Sequence, residues 1–491
     1  MVKANDSDCR WRGIRLFLAL STIPMIVITL LRIHTCWRND AYLDQVSGVW
    51  IALANDLYHG VFYRPLYGPL GYGGTRYFPL VFVLHAGLMK LGGGPILTGH
   101  LLCLASTLAL LAGVYALLRS LGVDKLLAAC SSLFVLCSES TQLALLAIRG
   151  DVLPAALIVW GFVACCGPTI GLRQLIVAAA FFTLAFSAKV TAAYGLGAAF
   201  IYFWFRGQRR QAWTLAAFGA AGFTIVLAAM LIASHGRVYE ILKSCATAGA
   251  PWTEIFLVPQ HFAMFTGVDD LSGFPFLILA AAALVAWPGR FWRELPPLFF
   301  LFAAATILVI FGTPGADYNH LIDLQAAAVV LLAVWISRSD PQPATFGMAA
   351  LGIAALMAVF PAARNLRHGI DTIPRREEFQ TVLQTVGNNP NPILSGNSLI
   401  PVLAGQTPYV LDPFMLRALR LHNPHFADPL WEMLEKKNFS AVVTIMDPNS
   451  EEGESVYTHG FYGPGFRKKL LENYKLYMEM KDNYIFLPRQ H

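Results

Sequence analysis

Asp40-Ala-Tyr-Leu-Asp-Gln-Val-Ser-Gly-Val-Trp-Ile-Ala-Leu-Ala-Asn-Asp-Leu-Tyr-His-Gly-Val-Phe-Tyr63 follows the first apolar run of the chain, Leu16 to Leu31. Acidic residues are scarce in the long apolar segments that flank this region. Yet the joint between Ile33 and Gly94 holds Arg38, Asp40, Asp44, Asp56, His59, Arg64, Arg76 and His85. A membrane chain that gathers carboxylates, cations and aromatics in one early loop is building a site at the bilayer surface.

Composition points the same way. Of 491 residues, 56% are hydrophobic and only 13% charged, against roughly 25% charged in soluble chains. Mean hydropathy is +0.54. Apolar runs of about 20 residues recur, the length a helix needs to cross a hydrocarbon core of about 30 Å. Backbone polar groups must pair internally there, so helices are expected. The net charge of +6 reports topology and gives no sign of a nucleic-acid partner. Most of the eight cysteines lie in apolar runs and behave as small hydrophobes. No CxxC spacing occurs; Cys36 and Cys245 are the pair that could meet in an oxidising compartment. Arg10, Arg12 and Arg15 precede the first run like a signal sequence, but no small-residue cleavage pattern follows. An uncleaved first span is expected.

Cations collect on the cytoplasmic side of membrane proteins. Arg206-Gly-Gln-Arg-Arg210 and Gly289-Arg-Phe-Trp-Arg293 are the clearest markers, with Arg119, Lys125, Arg173 and Arg338 in support. Placing them inside with the N-terminus gives spans near 14–34, 96–118, 125–147, 152–171, 174–188, 190–205, 211–233, 274–288, 295–313, 321–337 and 343–361. That is about eleven by the 20-residue rule, and it leaves the tail outside. The apolar segment from Tyr77 to Leu91 is too short to count and reads as a juxtamembrane or re-entrant helix. Val46 to Tyr58 reads as an amphipathic interfacial helix, with Asp56 on its solvated surface. The expected organisation is a transmembrane unit, residues 1–365, whose first external loop is 35–95, and an extracytoplasmic α/β domain, residues 366–491. In that tail Ile393-Leu-Ser and Ala441–Met446 read as buried strands. Asp428–Lys437 reads as a helix, and Tyr477–Met480 with Tyr484–Leu487 as a hairpin. The Asn438 sequon is expected by chance and does not show glycosylation.

Four groups of residues could carry chemistry. Asp44, just beyond the first span, is placed for a general base or a metal ligand, or is a solvated loop acid. Arg76, after the glycine-rich run Gly68 to Gly74 and beside Tyr77, could clamp a phosphate or snorkel to headgroups. Arg149-Gly-Asp151 and Lys189 sit between short apolar segments, where ionisable groups usually mark a site; Arg149 and Asp151 could also pair with each other, and Lys189 could be an anchor. Asp317-Tyr-Asn319-His320, with Asp323 beyond, is a late external loop in which His320 and Asp323 could ligate a metal or merely cap. Carboxylates, cations and aromatics on one membrane face suit a lipid-phosphate substrate. Sugar transfer from such a lipid needs no general acid, because the leaving group is already a phosphate. One carboxylate can activate an acceptor hydroxyl, and cations or a divalent cation can take up the developing charge.

The first-loop acid, the segment Trp50–Tyr63 and the Tyr-Phe-Pro-Leu helix resemble the GT-C glycosyltransferases, especially the protein O-mannosyltransferase and aminoarabinose-transferase branch. Arg-Gly-Asp151, Ala188-Lys189 and Ala316-Asp-Tyr-Asn-His-Leu-Ile-Asp323 are similar to that branch's external turns. Ile393 to Gly405 and Leu411-Asp-Pro-Phe414 are similar to the extracytoplasmic domain of its bacterial members. The resemblance is diffuse and rests on order and spacing. It implies a polyprenyl-phosphate sugar donor, an inverting transfer to a lipid, glycan or protein acceptor, a plasma-membrane setting, and Asp44 as the catalytic acid. Arg76, Tyr77, Arg149, Asp151, Lys189, Asn319 and His320 would then bind substrate. Many members carry an acidic pair in the first loop, whereas Gln45 follows Asp44 here; Asp40 is the alternative second acid. Two other readings compete: a lipid-sugar flippase, for which no internal repeat is visible, and a non-catalytic scaffold that binds lipid-linked sugars.

Overall fold

The computed structural model describes residues 6–167, 169–245, 252–371, 375–387 and 390–490. Sixteen α-helices lead to the tail, with a short β1 (Tyr67–Gly68) and β2 (Gly71–Tyr72) hairpin in the first loop. They are α1 (Asp6–Asn39), α2 (Gln45–Tyr58), α3 (Leu80–Lys90), α4 (Pro95–Ser120), α5 (Lys125–Phe134), α6 (Glu139–Leu146), α7 (Val152–Ala164) and α8 (Leu172–Ala188). Next come α9 (Tyr194–Phe205), α10 (Arg209–Ala233), α11 (Arg237–Cys245), α12 (Val258–Met264), α13 (Phe274–Val285), α14 (Leu295–Ile310), α15 (Ile322–Arg338) and α16 (Pro341–Asp371).

Every apolar stretch expected to span coincides with one of these helices, α5 and α6 together forming one. Among the described residues, five helices are long and apolar enough to cross a bilayer, or six if the α5 and α6 pair, bent by 74°, is one span. The others are apolar but shorter. Length alone therefore does not fix the count at eleven. At 11 residues, α3 is indeed too short to cross. The bend before α6 has a local cause. Ser138 is extended there, and Asp270 accepts from its hydroxyl (2.7 Å) and from Glu139 N (2.7 Å), capping α6 from another part of the chain.

At the centre lies α15, whose residues Leu324 to Val334 are all buried. A helix apolar on every side belongs in a core, and Ala326–Ala328 let neighbours approach closely. The outer helices α4, α8 and α10 expose Leu97, Leu108, Ile176, Ile225 and Ile232, as expected of side chains meeting lipid tails.

The tail forms a four-stranded sheet in the order β3-β4-β6-β5, from β3 (Ile393–Ser395), β4 (Ala441–Thr444), β5 (Tyr474–Glu479) and β6 (Tyr484–Pro488). β3 and β4 are parallel; β5 and β6 make the expected hairpin. Helices α17 (Arg375–Val386), α18 (Leu399–Leu403), α19 (Pro413–His422) and α20 (Asp428–Glu435) accompany it. One hydrophobic cluster joins α2 and α3 to the tail, running from Val49, Ile51 and Phe82 to Phe379, Leu399, Met415 and Val443.

That shared cluster corrects two expectations. α2 does not lie open at an interface: Ser47 to Ala54 are buried, between α3, α4 and α18. Asp56 is not a surface acid. It is 5% exposed and forms a two-pronged ion pair with the fully buried Arg64, at 2.5 and 2.7 Å. The tail supplies the reason, because Arg64 also donates to Pro408 O at 2.6 Å. A third correction concerns sulfur: Cys36 and Cys245 are both buried and unpaired.

Candidate active site

The site begins where α1 ends. Asp40 and Tyr42 take left-handed backbone conformations (φ 53° and 65°), which turn the chain sharply back into α2. Three contacts hold this turn. Arg32, buried and paired with Glu139 at 2.6 Å, donates to Tyr42 Oη at 3.2 Å. Asp40 pairs with Arg376 of α17 at 2.8 Å, so the alternative second acid is tied to the tail. Asn397 of the tail donates to Leu43 O at 3.1 Å. Gly48 allows that approach, since a Cβ there would lie 2.2 Å from Asn397 Oδ1.

Asp44 then caps α2, its Oδ1 accepting from Ser47 N at 2.9 Å. Its Oδ2 accepts from Arg149 Nη2. The other prong of Arg149 reaches Asp317 Oδ2 at 3.7 Å. Burial opposes the charge on Arg149, but Asp44 and Asp317 outweigh it and hold the guanidinium above its ordinary value. Arg149 and Asp151 thus do not pair with each other. Asp151 accepts from Lys189 Nζ at 2.8 Å and from Asn319 Nδ2 at 2.7 Å, one on each oxygen. Burial pushes the Asp151 carboxyl up; the Lys189 ammonium and these hydrogen bonds overcome it and hold the group well below the usual carboxylate range. Lys189 Nζ also donates to His320 Nδ1 at 2.7 Å.

The Arg-Gly-Asp turn has this sequence for a steric reason. A Cβ on Gly150 would lie 2.4 Å from Trp50 Cζ2. Trp50 in turn stacks on Tyr77 at 4.2 Å between centroids. Arg76 donates to Pro314 O (3.1 Å) and Gly315 O (2.9 Å) and lies over the Phe414 ring.

Arg76, Tyr77, Arg149, Asp151, Lys189, Asn319 and His320 all line one cavity of about 690 Å³. Asp44 does not itself line the cavity and is joined to it by Arg149 and by its neighbour Gln45. The apolar part includes Val46, Val49, Phe186, Val190, Leu227 and Val309. Val190, Leu227 and Val309 are 48, 38 and 71% exposed, so the cavity opens sideways between helices. The tail contributes Asp412 and Phe414, which sequence reasoning had not placed at the site. Asp412-Pro413 was a legible helix start, but nothing local told where α19 would point.

A divalent cation fits this arrangement poorly. Arg149 already sits between Asp44 and Asp317. His320 accepts from Lys189, and Asp323 accepts from Tyr194 at 2.8 Å, so the two do not form the metal pair that their spacing allowed. Among the described residues no cluster of three or more His, Cys, Asp or Glu could hold a metal ion.

A bundle of apolar helices with a small α/β tail closing over the cavity is a fold that this chain shares with solved membrane proteins. Three solved structures are similar to it. ArnT from Cupriavidus metallidurans, bound to undecaprenyl phosphate, is 11% identical with a TM-score of 0.57, over 96% of this chain and 97% of that one. The apo oligosaccharyltransferase of Archaeoglobus fulgidus is 12% identical with a TM-score of 0.58, over 96% and 74%. AglB from the same organism, in complex with an inhibitory peptide and a dolichol-phosphate, gives 12%, 0.56, and the same coverage. No family profile matches the chain, and no curated protein does.

Proposed function

We propose that this chain transfers a sugar from a polyprenyl-phosphate donor to an acceptor hydroxyl, with inversion, on the extracytoplasmic face of a plasma membrane. The observation that carries this reading is one cavity in which Arg76, Arg149 and Lys189 meet an apolar wall, with Asp44 joined to it through Arg149. The fold likeness supports it, since ArnT was solved with undecaprenyl phosphate and AglB with a dolichol-phosphate.

The donor phosphate is a diester carrying one negative charge. As the sugar leaves, the phosphate gains a second. Arg76 keeps three of its five N–H groups after its two carbonyl bonds, and Lys189 keeps one of three after Asp151 and His320. Those remaining donors stabilise the departing phosphate, so no acid is needed. The isoprenoid leaves through the side opening, past Leu227 and Val309. Asp44, oriented by Arg149, accepts the acceptor's proton as the new bond to the sugar forms. Arg149 and the Ser47 N–H hold the orientation of the Asp44 carboxylate.

The orientation follows from charge. Site residues lie at the C-terminal end of α8, the α6–α7 turn and the α14–α15 turn. The opposite helix ends carry Arg119, Lys125, Arg173, Arg206, Arg209, Arg210, Arg290, Arg293 and Arg338, which the positive-inside tendency assigns to the cytoplasm.

The test is transfer in membranes containing wild type or Asp44→Asn, supplied with radiolabelled polyprenyl-phosphate sugars, with and without chelator. Label reaching an acceptor with wild type alone supports the reading, and the chelator lane decides metal dependence. Full transfer by a folded Asp44→Asn refutes the base assignment.

A further inference from the structure

The tail delivers to the cavity one side chain that the transfer chemistry above leaves without a task. Asp412 caps α19, its Oδ1 accepting from Phe414 N (3.0 Å) and Met415 N (3.3 Å). The residue is 8% exposed and lines the cavity. Among the described residues, its Oδ2 has no hydrogen-bond partner. That oxygen is accessible, so it is left for a donor that enters the cavity. Burial of the residue pushes the carboxyl up to about 6, against the pull of the two backbone N–H groups and of Arg76. Arg76 does not supply that donor by contact, since it hydrogen-bonds Pro314 and Gly315 and stacks over Phe414.

Two more features lie alongside. Phe414 and the Trp50-stacked Tyr77 line the same cavity. Rings beside a carboxylate are what a sugar requires: the aromatic face takes the C–H face of the ring, and the carboxylate takes a hydroxyl or ammonium proton. The position also discriminates. A donor sugar is bonded directly to its phosphate. With Arg76 as a phosphate ligand, that sugar falls beside Asp412.

Resting on the lipid-phosphate reading of the cavity, we infer that Asp412, with Tyr77 and Phe414, forms the subsite for the donor's sugar ring. The tail is then part of the specificity machinery. Asp412 binds and positions the donor by accepting a proton from a sugar hydroxyl or amino group.

The test is binding of three lipids to the purified full chain: undecaprenyl phosphate, its mannosyl derivative and an amino-sugar derivative. Asp412→Asn and Asp412→Ser both retain a side chain able to cap α19. Both variants are expected to bind the bare lipid like wild type, and to bind the better sugar lipid about ten- to a hundred-fold more weakly, the loss of a hydrogen bond to a charged group. The mannosyl and amino-sugar arms distinguish a hydroxyl from an ammonium as the proton donor. Unchanged affinity for both sugar lipids overturns the subsite. A parallel loss for the bare lipid also overturns it, marking a structural role. Wild type that binds bare lipid but gains nothing from either sugar sinks the subsite alone. Wild type that binds none of the three sinks the lipid-phosphate reading and the subsite with it.

Discussion

Asp151→Asn leaves almost every atom in place and reverses the sense of one hydrogen bond. The wild-type carboxylate accepts from Lys189 and from Asn319. An asparagine can still offer its oxygen to Asn319, but its amide then points two protons at the Lys189 ammonium. Lys189 is 17% exposed and Asp151 11% at the side chain, so water does little to screen the loss. Breaking one side of a buried pair typically costs about 3–5 kcal/mol. Lys189→Met, which strands the carboxylate, is expected to cost a similar amount. The double variant removes both charges and should cost less than the sum, with a coupling of about 1–3 kcal/mol. The assay is reversible unfolding of the detergent-solubilised chain, followed by tryptophan fluorescence, for all four proteins of the cycle. Additive costs, within about 0.5 kcal/mol, would refute the claim that these residues act as one unit.

Further outcomes are expected elsewhere in the site. Arg149→Lys retains the charge but cannot fork to Asp44 and Asp317; transfer should fall by about one to two orders of magnitude while binding of bare undecaprenyl phosphate changes less. Gly150→Ala drives a Cβ into Trp50 and should destabilise the chain by about 1–3 kcal/mol, read as a lower unfolding midpoint and a changed tryptophan spectrum. The Asp412 carboxyl, pushed up to about 6, is ionised above that pH, so KM for the sugar lipid should rise as pH falls through about 6, and Asp412→Asn should flatten this limb. The sign rules out a stability artefact from this group: a raised carboxyl binds its proton more tightly in the folded state, so acidification from about 6 toward its ordinary value adds stability.

The helical layout was legible because apolar length and the absence of charge are local signals. Lys189 stood out for the same reason, as a lone cation in a long apolar stretch. What the sequence hid was pairing. Arg149 and Asp151 are two residues apart and invite each other, yet the Gly150 turn sends one toward Asp44 and the other toward Lys189. Asp56 looked solvated because its partner Arg64 is also held by Pro408 O, far along the chain, a contact that no local pattern announces. Asp412 shows the same limit. Its cap is written in Asp-Pro, but its place in the cavity depends on the cluster that joins α2 and α3 to the tail.

The central claim is that a sugar leaves a lipid phosphate in this cavity. The most direct measurement is the yield of bare undecaprenyl phosphate from doubly labelled undecaprenyl-phosphate sugar, added to the reconstituted full chain with acceptor membranes. The account predicts one lipid phosphate released for each sugar transferred by wild type, and none with Asp44→Asn. Labelled lipid that crosses the bilayer with its sugar still attached, with no phosphate released, would contradict it.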